Sequence, residues 1–215
     1  GIPVSFIVDK ERIIQWIGHP SDPEFENILG KVMSGRYNMK KQQDAAPSIS
    51  AARSARSGKS WKVAKKAYDN AIAIDPFIFA HLYIEQAQML LLDKKDPTAA
   101  YSYLDKIITE RGAEDPELLT WIARDIAENE DIPDDVRRMD VAMQAAQMAL
   151  TLTEKKTNPL YLSTIAFIHL KNGDIDKAVE CQRKAYFSAK KKDKFKHKNI
   201  LESYKQQQQH AEVKE

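Results

Sequence analysis

The sequence predicts a mostly α-helical chain, with antiparallel helix pairs repeated through residues 37–215 behind a short ββα segment in residues 1–36. Three observations predict this. Gly and Pro are scarce, at 7 and 9 of 215 residues. They fall as punctuation between stretches of about 14–20 residues whose apolar positions follow a helical period. Small residues recur within those stretches at a fixed step of 12, as in Ala52 to Ala64, Ala87 to Ala99 and Ala166 to Ala178. Strand-like alternation is confined to the opening residues.

The opening stretch reads in order as proline, strand, turn, strand, helix. "VSFIVD" alternates and is β-rich, "KE" makes a turn, "RIIQWIG" is a second β-rich run and "HPSDP" breaks it. "PEFENILGKVMSG" then forms a short amphipathic helix, with Asp22 as N-cap, Pro23 at the first helical position and Gly35 as its stop. A two-stranded hairpin with one helix is marginal alone, so these residues are expected to end a larger sheet.

The later helices are paired. Turn signals stand at Ser57-Gly58, Asp75-Pro76, Asp96-Pro97, Asp115-Pro116, Ile132-Pro133, Asn158-Pro159 and Asn172-Gly173-Asp174. In "NPLYLSTIAFIHLKNGDIDKAVECQRKA", Leu162, Ile165, Ala166 and His169 fall at the W-x2-L-G-x2-Y positions of the tetratricopeptide pattern, with Ala178 at the small position of the next helix. Tyr103 follows Ala99, and Tyr68, Ala71 and Pro76 follow Ala64, in the same way. The third unit departs: Leu119, Ile122, Ala123 and Ile126 fit its first helix, but the small residue Ala142 comes 19 positions after Ala123, so the turn around "NEDIPDD" is lengthened.

On these marks the chain resembles the tetratricopeptide repeat (TPR) family. The expected fold is a TPR-like α-solenoid of antiparallel helix pairs, with an irregular helical bundle as the alternative. Small residues are needed where paired helices cross, since a large side chain would hold the backbones apart. Each pair leaves an apolar face that its neighbour covers. The last segment carries Phe195, Ile200, Leu201 and Tyr204 on one face of a polar helix and reads as the capping helix, frayed past its Gln run.

"GIPVSFIVDKERIIQWIGHP" is similar to the C-terminal half of a thioredoxin-like domain of the redoxin, or envelope thiol–disulfide oxidoreductase, kind. The resemblance implies that residues 1–36 are a ββα remnant of an α/β domain whose first half, with a W-C-x-x-C dithiol, lies outside the chain. It implies that Ile2 and Pro3 form the cis-proline loop beside that dithiol. Arg12 stands where many relatives carry a turn glycine, so the turn differs or Arg12 takes a positive φ. The resemblance also implies a bacterial protein of the cell envelope or periplasm, with the cytoplasm as the other compatible compartment.

Composition narrows the remaining chemistry. Hydrophobic residues make up 43% and charged residues 30%, with a formal net charge of +2, which suits a globular chain. No apolar run approaches the ~20 residues of a membrane span. The one cysteine, Cys181, reads as a structural thiol. His19, His81, His169, His197 and His210 are scattered without metal-ligand spacing, so no metal or other cofactor is expected. Ten acidic residues crowd positions 109–136. Six lysines face Asp193 alone in positions 190–198, and ten Lys or Arg face Asp44 alone in positions 31–66. Interleaved aromatics are few, so nucleic acid is a poor fit, and these runs read as solvated faces.

Two functions stay open. The first is a fragment of a thioredoxin-like thiol–disulfide oxidoreductase whose TPR-like domain binds a protein partner or peptide. The alternative is a non-catalytic TPR interaction module with a structural thioredoxin-like remnant. No catalytic residue is expected within the chain. Tyr83, Gln86, Leu90, Arg124 and His169, on first helices, are the candidate partner-binding groove.

Overall fold

The computed structural model describes residues 3–153 and 156–212. The described chain runs β1 (Ser5–Val8), β2 (Ile14–Gly18), α1 (Glu24–Met33), α2 (Met39–Ser57), α3 (Trp61–Ile74), α4 (His81–Gln88), a π turn over Met89–Asp93, α5 (Pro97–Arg111), α6 (Pro116–Glu128), α7 (Met139–Thr151), α8 (Pro159–Lys171), α9 (Ile175–Ser188) and α10 (Lys194–Glu212). It is a mostly α, TPR-like repeat of helix pairs behind a ββα segment, and no strand follows residue 18 among the described residues. No described helix is long and apolar enough to cross a membrane. The chain forms two compact units, Gly1–Met89 and Leu90–Glu215.

In the first unit β1 and β2 pair antiparallel, with Phe6 opposite Ile17, Ile7 opposite Trp16 and Val8 opposite Ile14. The expected hairpin is present, with the second strand beginning at Ile14 rather than Ile13. Its turn is held by Asp9, whose carboxylate accepts from the Ile13 amide at 2.8 Å, and Arg12 takes φ 64°. A non-glycine residue therefore occupies the left-handed conformation that the turn needs. Ile2, and with it the Ile2–Pro3 bond, lies outside the described residues. The helix begins at Glu24 with Pro23 in the N-cap position, one residue later than the sequence predicts, while the Asp22 side chain accepts from the Glu24 amide at 2.9 Å. Gly35 leaves α1 at φ 74°.

The hairpin segment is tied to the helices that follow it. Gln15, 1% exposed, accepts from the Met39 amide at 2.7 Å, at the start of α2. Arg36, also buried, donates to the Phe77 carbonyl at 2.9 Å and lies 3.9 Å over the Phe77 ring. For this reason residues 1–36 and α2–α4 share one compact unit, and the division falls at 89/90 rather than at the 36/37 boundary read from the sequence.

The helix pairs start on the devices visible in the sequence. Asp96, Asp115 and Asn158 are N-caps, each followed by proline at the first helical position. Their side chains accept from the amides of Ala99, Leu118 and Leu160, which satisfies donors that a helix start leaves open. Within the pairs α2–α3, α6–α7 and α8–α9, the small residues are buried as expected: Ala52 and Ala64, Ala123 and Ala142, and Ala166 and Ala178 are all fully buried, the last two in one cluster. Ala99 is the exception. It is half-buried, and Ala100 takes the fully buried position. The step from Ala87 is 13 rather than 12 because the π turn over Met89–Asp93 carries one surplus residue.

In the second unit the lengthened turn between α6 and α7 is organised around Ile132, 1% exposed. Helix α10 packs on α9, where Tyr204 closes a cluster with Ala166 and Ala178, flanked by Ile200, Val179 and Cys181. It runs on through the Gln206–Gln209 stretch to Glu212, past where fraying was expected. Phe195 does not share its buried face. It is 74% exposed, because residue 195 lies about 200° around the helix from the buried His197. Replacing Ala178 by Leu should overpack the α8–α9 crossing and lower stability by about 1–3 kcal/mol, seen as a lower urea midpoint at unchanged slope.

Candidate functional site

In the second unit the first helices of successive pairs and the cap form a cleft. Arg124 and Glu128 come from α6. Leu160, Ser163, Thr164 and Phe167 come from α8. Lys196, His197, Asn199, Ile200, Ser203 and Tyr204 come from α10, and the volume enclosed is about 500 Å³. Each helix contributes one line of residues at i, i+3, i+4 and i+7 or part of it, the spacing that puts side chains on one helical face.

The apolar part of the wall is Leu160, Phe167 and Ile200, with Tyr204 beneath. Around it stand polar groups that the fold holds in place. Arg124 forms a two-toothed pair with Glu128, Nε to Oε1 at 2.9 Å and Nη2 to Oε2 at 2.7 Å. That hydrogen bond raises the guanidinium's pKa against the opposing effect of burial. Burial and, secondarily, the Glu128 charge push the Tyr204 phenol up to about 12, so it stays a neutral O–H across physiological pH. No described residue hydrogen-bonds that hydroxyl.

Behind the cleft, fully buried Gln182 joins three helices. Its Oε1 accepts from the Ser163 hydroxyl at 2.8 Å, and its Nε2 donates to the His197 carbonyl at 3.1 Å. The same Nε2 lies 3.4 Å from His197 Nδ1. Burial first, and then the neighbouring Lys196 charge, lower the His197 pKa. A neutral ring accepting at Nδ1 leaves its Nε2–H as the donor. The wall can therefore offer hydrogen-bond donors and acceptors beside an apolar floor, but it holds no nucleophile–base pair. Among the described residues no three His, Cys, Asp or Glu side chains converge as a metal site. Cys181 is a free thiol whose pKa burial raises.

A second, shallower cleft of about 460 Å³ lies where the long turn meets α5, lined by Tyr101, Asp105 and Arg138 among others. Arg138 there is already engaged with the Asp140 carboxylate.

The five residues expected to form a partner groove divide between the two units, Tyr83 and Gln86 in the first and Leu90, Arg124 and His169 in the second. Arg124 lines the main cleft. Tyr83 and Gln86 are buried inside the first unit, 6% and 0% exposed, so neither meets a partner at the surface. Gln86 donates to Asp69 Oδ1 at 3.0 Å across to α3, and its own Oε1 is left unpaired. Leu90 sits half-buried in the π turn. His169 closes the α8–α9 turn, where its carbonyl accepts from the Asp174 amide at 2.9 Å and its ring stands 3.9 Å from the Asp174 carboxylate. Sequence reading missed the α8 and α10 lines. Their signal was the regular spacing of Leu160, Ser163 and Phe167, and of Lys196, Asn199 and Ser203.

No protein-family model matches the chain, and no curated protein matches it. Among solved structures it is similar to the MamA protein, at 16% identity with a TM-score of 0.40 over 75% of this chain and 86% of that one. It is also similar to yeast Tom70, at 15% identity with a TM-score of 0.35 over 88% of this chain and 44% of that one.

Proposed function

We propose that the chain is a protein-interaction module whose second unit takes a short peptide segment in the α6–α8–α10 cleft. The observation that supports this most is the cleft's make-up: an apolar wall of Leu160, Phe167 and Ile200 beside polar groups already fixed by Gln182 and by the Arg124–Glu128 pair. Sites for peptides and small ligands have this character, apolar anchors with a few oriented polar groups. Peptides selected against the protein from a display library test it. Phe167→Asp, at a half-buried position on the rim, should weaken their binding by about tenfold or more, the cost of a charge facing an apolar anchor, with the circular dichroism spectrum unchanged. Equal binding by this variant and the parent protein would place the peptide site elsewhere.

The hairpin favours a second reading, that the module serves a thioredoxin-like exchange domain. Ile7 and Trp16 cover its inner face, where Trp16 meets Phe25 edge-on at 5.3 Å. Phe6, Val8, Ile14 and Ile17 leave its outer face apolar and exposed. Apolar residues on both faces are the composition of a sheet sandwiched between layers. The redox step would need a dithiol that one cysteine cannot supply. A W-C-x-x-C motif in sequence preceding Gly1 would support this reading, and sequence there without that motif would remove it.

A further inference from the structure

We infer that the corner between α9 and α10 is a docking surface for an anionic lipid bilayer, distinct from the peptide cleft except at Lys196, which borders both. Two phenyl rings stand at this end of the antiparallel pair. Phe187, in the last turn of α9, is 68% exposed, and Phe195, in the first turn of α10, is 74% exposed. Lys190, Lys191, Lys192, Lys194, Lys196 and Lys198 lie between and beside them, against Asp193 alone. No acidic side chain among the described residues pairs with any of these six. Elsewhere on the same unit several lysines are neutralised locally, as Lys184 is by Glu180 at 2.6 Å and Lys177 by Asp174 at 2.6 Å. The corner therefore concentrates uncompensated positive charge around two projecting rings that carry no polar atom.

That combination fits the interface of a bilayer. Lysines reach lipid phosphates while their stems lie along apolar surface, and aromatic rings enter the headgroup–acyl boundary. Clustered lysines are drawn to anionic leaflets over about a Debye length. A single-stranded nucleic acid would use the same charge but needs ring faces along a groove. Neither phenyl lines either cleft of this unit. The adjacent Tyr186 ring is tilted 56° to Phe187 at 5.2 Å, and the Lys194 ammonium stands 5.4 Å over it, so it offers no open stacking platform.

Cosedimentation of the full 215-residue chain with vesicles tests the inference. One vesicle set is phosphatidylcholine alone, and the other contains about one quarter phosphatidylglycerol. The expected result is binding about tenfold or more stronger to the anionic vesicles, lost in about 0.5 M salt. F187S/F195S should weaken that binding about fivefold or more at unchanged charge. K190Q/K191Q/K192Q should weaken it and flatten its salt dependence. All five positions are exposed, so both variants should keep the parent melting temperature. Equal binding to the two vesicle sets overturns the inference. So does an F187S/F195S variant that binds like the parent, or tight binding of a single-stranded oligonucleotide with none of the anionic vesicles.

Discussion

Gln182→Ala is expected to lower stability by about 2–4 kcal/mol, the sum of a small cavity and the loss of buried hydrogen bonds. The residue is fully buried on α9 and is the common partner of Ser163 on α8 and His197 on α10. Removing its amide leaves the Ser163 hydroxyl and the buried His197 ring nitrogen without their shared partner. Gln182→Met fills the volume but strands the same groups, so it should recover only part of the loss. Because the groups act as one network, Ser163→Ala in the Gln182→Met background should cost less than Ser163→Ala in the parent. Urea unfolding of the four proteins measures the coupling. Strict additivity would show that Gln182 packs without organising the cleft. The peptide site should suffer as well, since Ser163 and His197 line it.

The second large effect is expected at Arg137. This side chain is 12% exposed and lies in the long α6–α7 turn. Its Nη1 donates to the carbonyls of Ile126 at 2.7 Å and Asn129 at 3.0 Å, and its Nη2 to that of Ile132 at 2.5 Å. These are carbonyls at and just past the end of α6, where a helix leaves acceptors open and favours positive charge. Arg137→Ala should cost about 2–3 kcal/mol. Arg137→Lys should restore less than half, because an ammonium cannot fork to three acceptors as a guanidinium does. The salt bridge to Asp134 contributes little, since that carboxylate is 98% exposed. Hydrogen exchange should quicken first in residues 129–136. Loss of stability with unchanged exchange there would assign the role to packing rather than to capping.

Helix starts were legible in the sequence because their cause is local. An aspartate or asparagine followed by proline can cap a helix with atoms of its own few residues, and Asp96, Asp115 and Asn158 all do so. The hairpin was legible for a similar reason, and of the two turns left open at Arg12 the structure takes the one with positive φ. The cleft was not. Helical period shows that Tyr83 and Leu160 each lie on a stripe, but it does not show which stripe meets another helix. Tyr83 turned out to be core and Leu160 rim. Nothing local marks Gln182 or His197 as core, and only the convergence of α8, α9 and α10 makes them a buried pair. Ala99 failed by a single position, which no propensity or period would register.

That single position marks a place where the length of the chain can drift over evolutionary time. A π turn is an α-helix holding one insertion, kept within the helix rather than expelled into a loop. In Met89–Asp93 the surplus is discharged before Asp96, whose cap restarts the next helix independently of the phase inherited from α4. Related chains can therefore gain or lose one residue here with the start of α5 undisturbed. An alignment that forces a constant repeat length would misplace the positions after the turn by one, setting Ala99 against the small residues of the other pairs where Ala100 belongs.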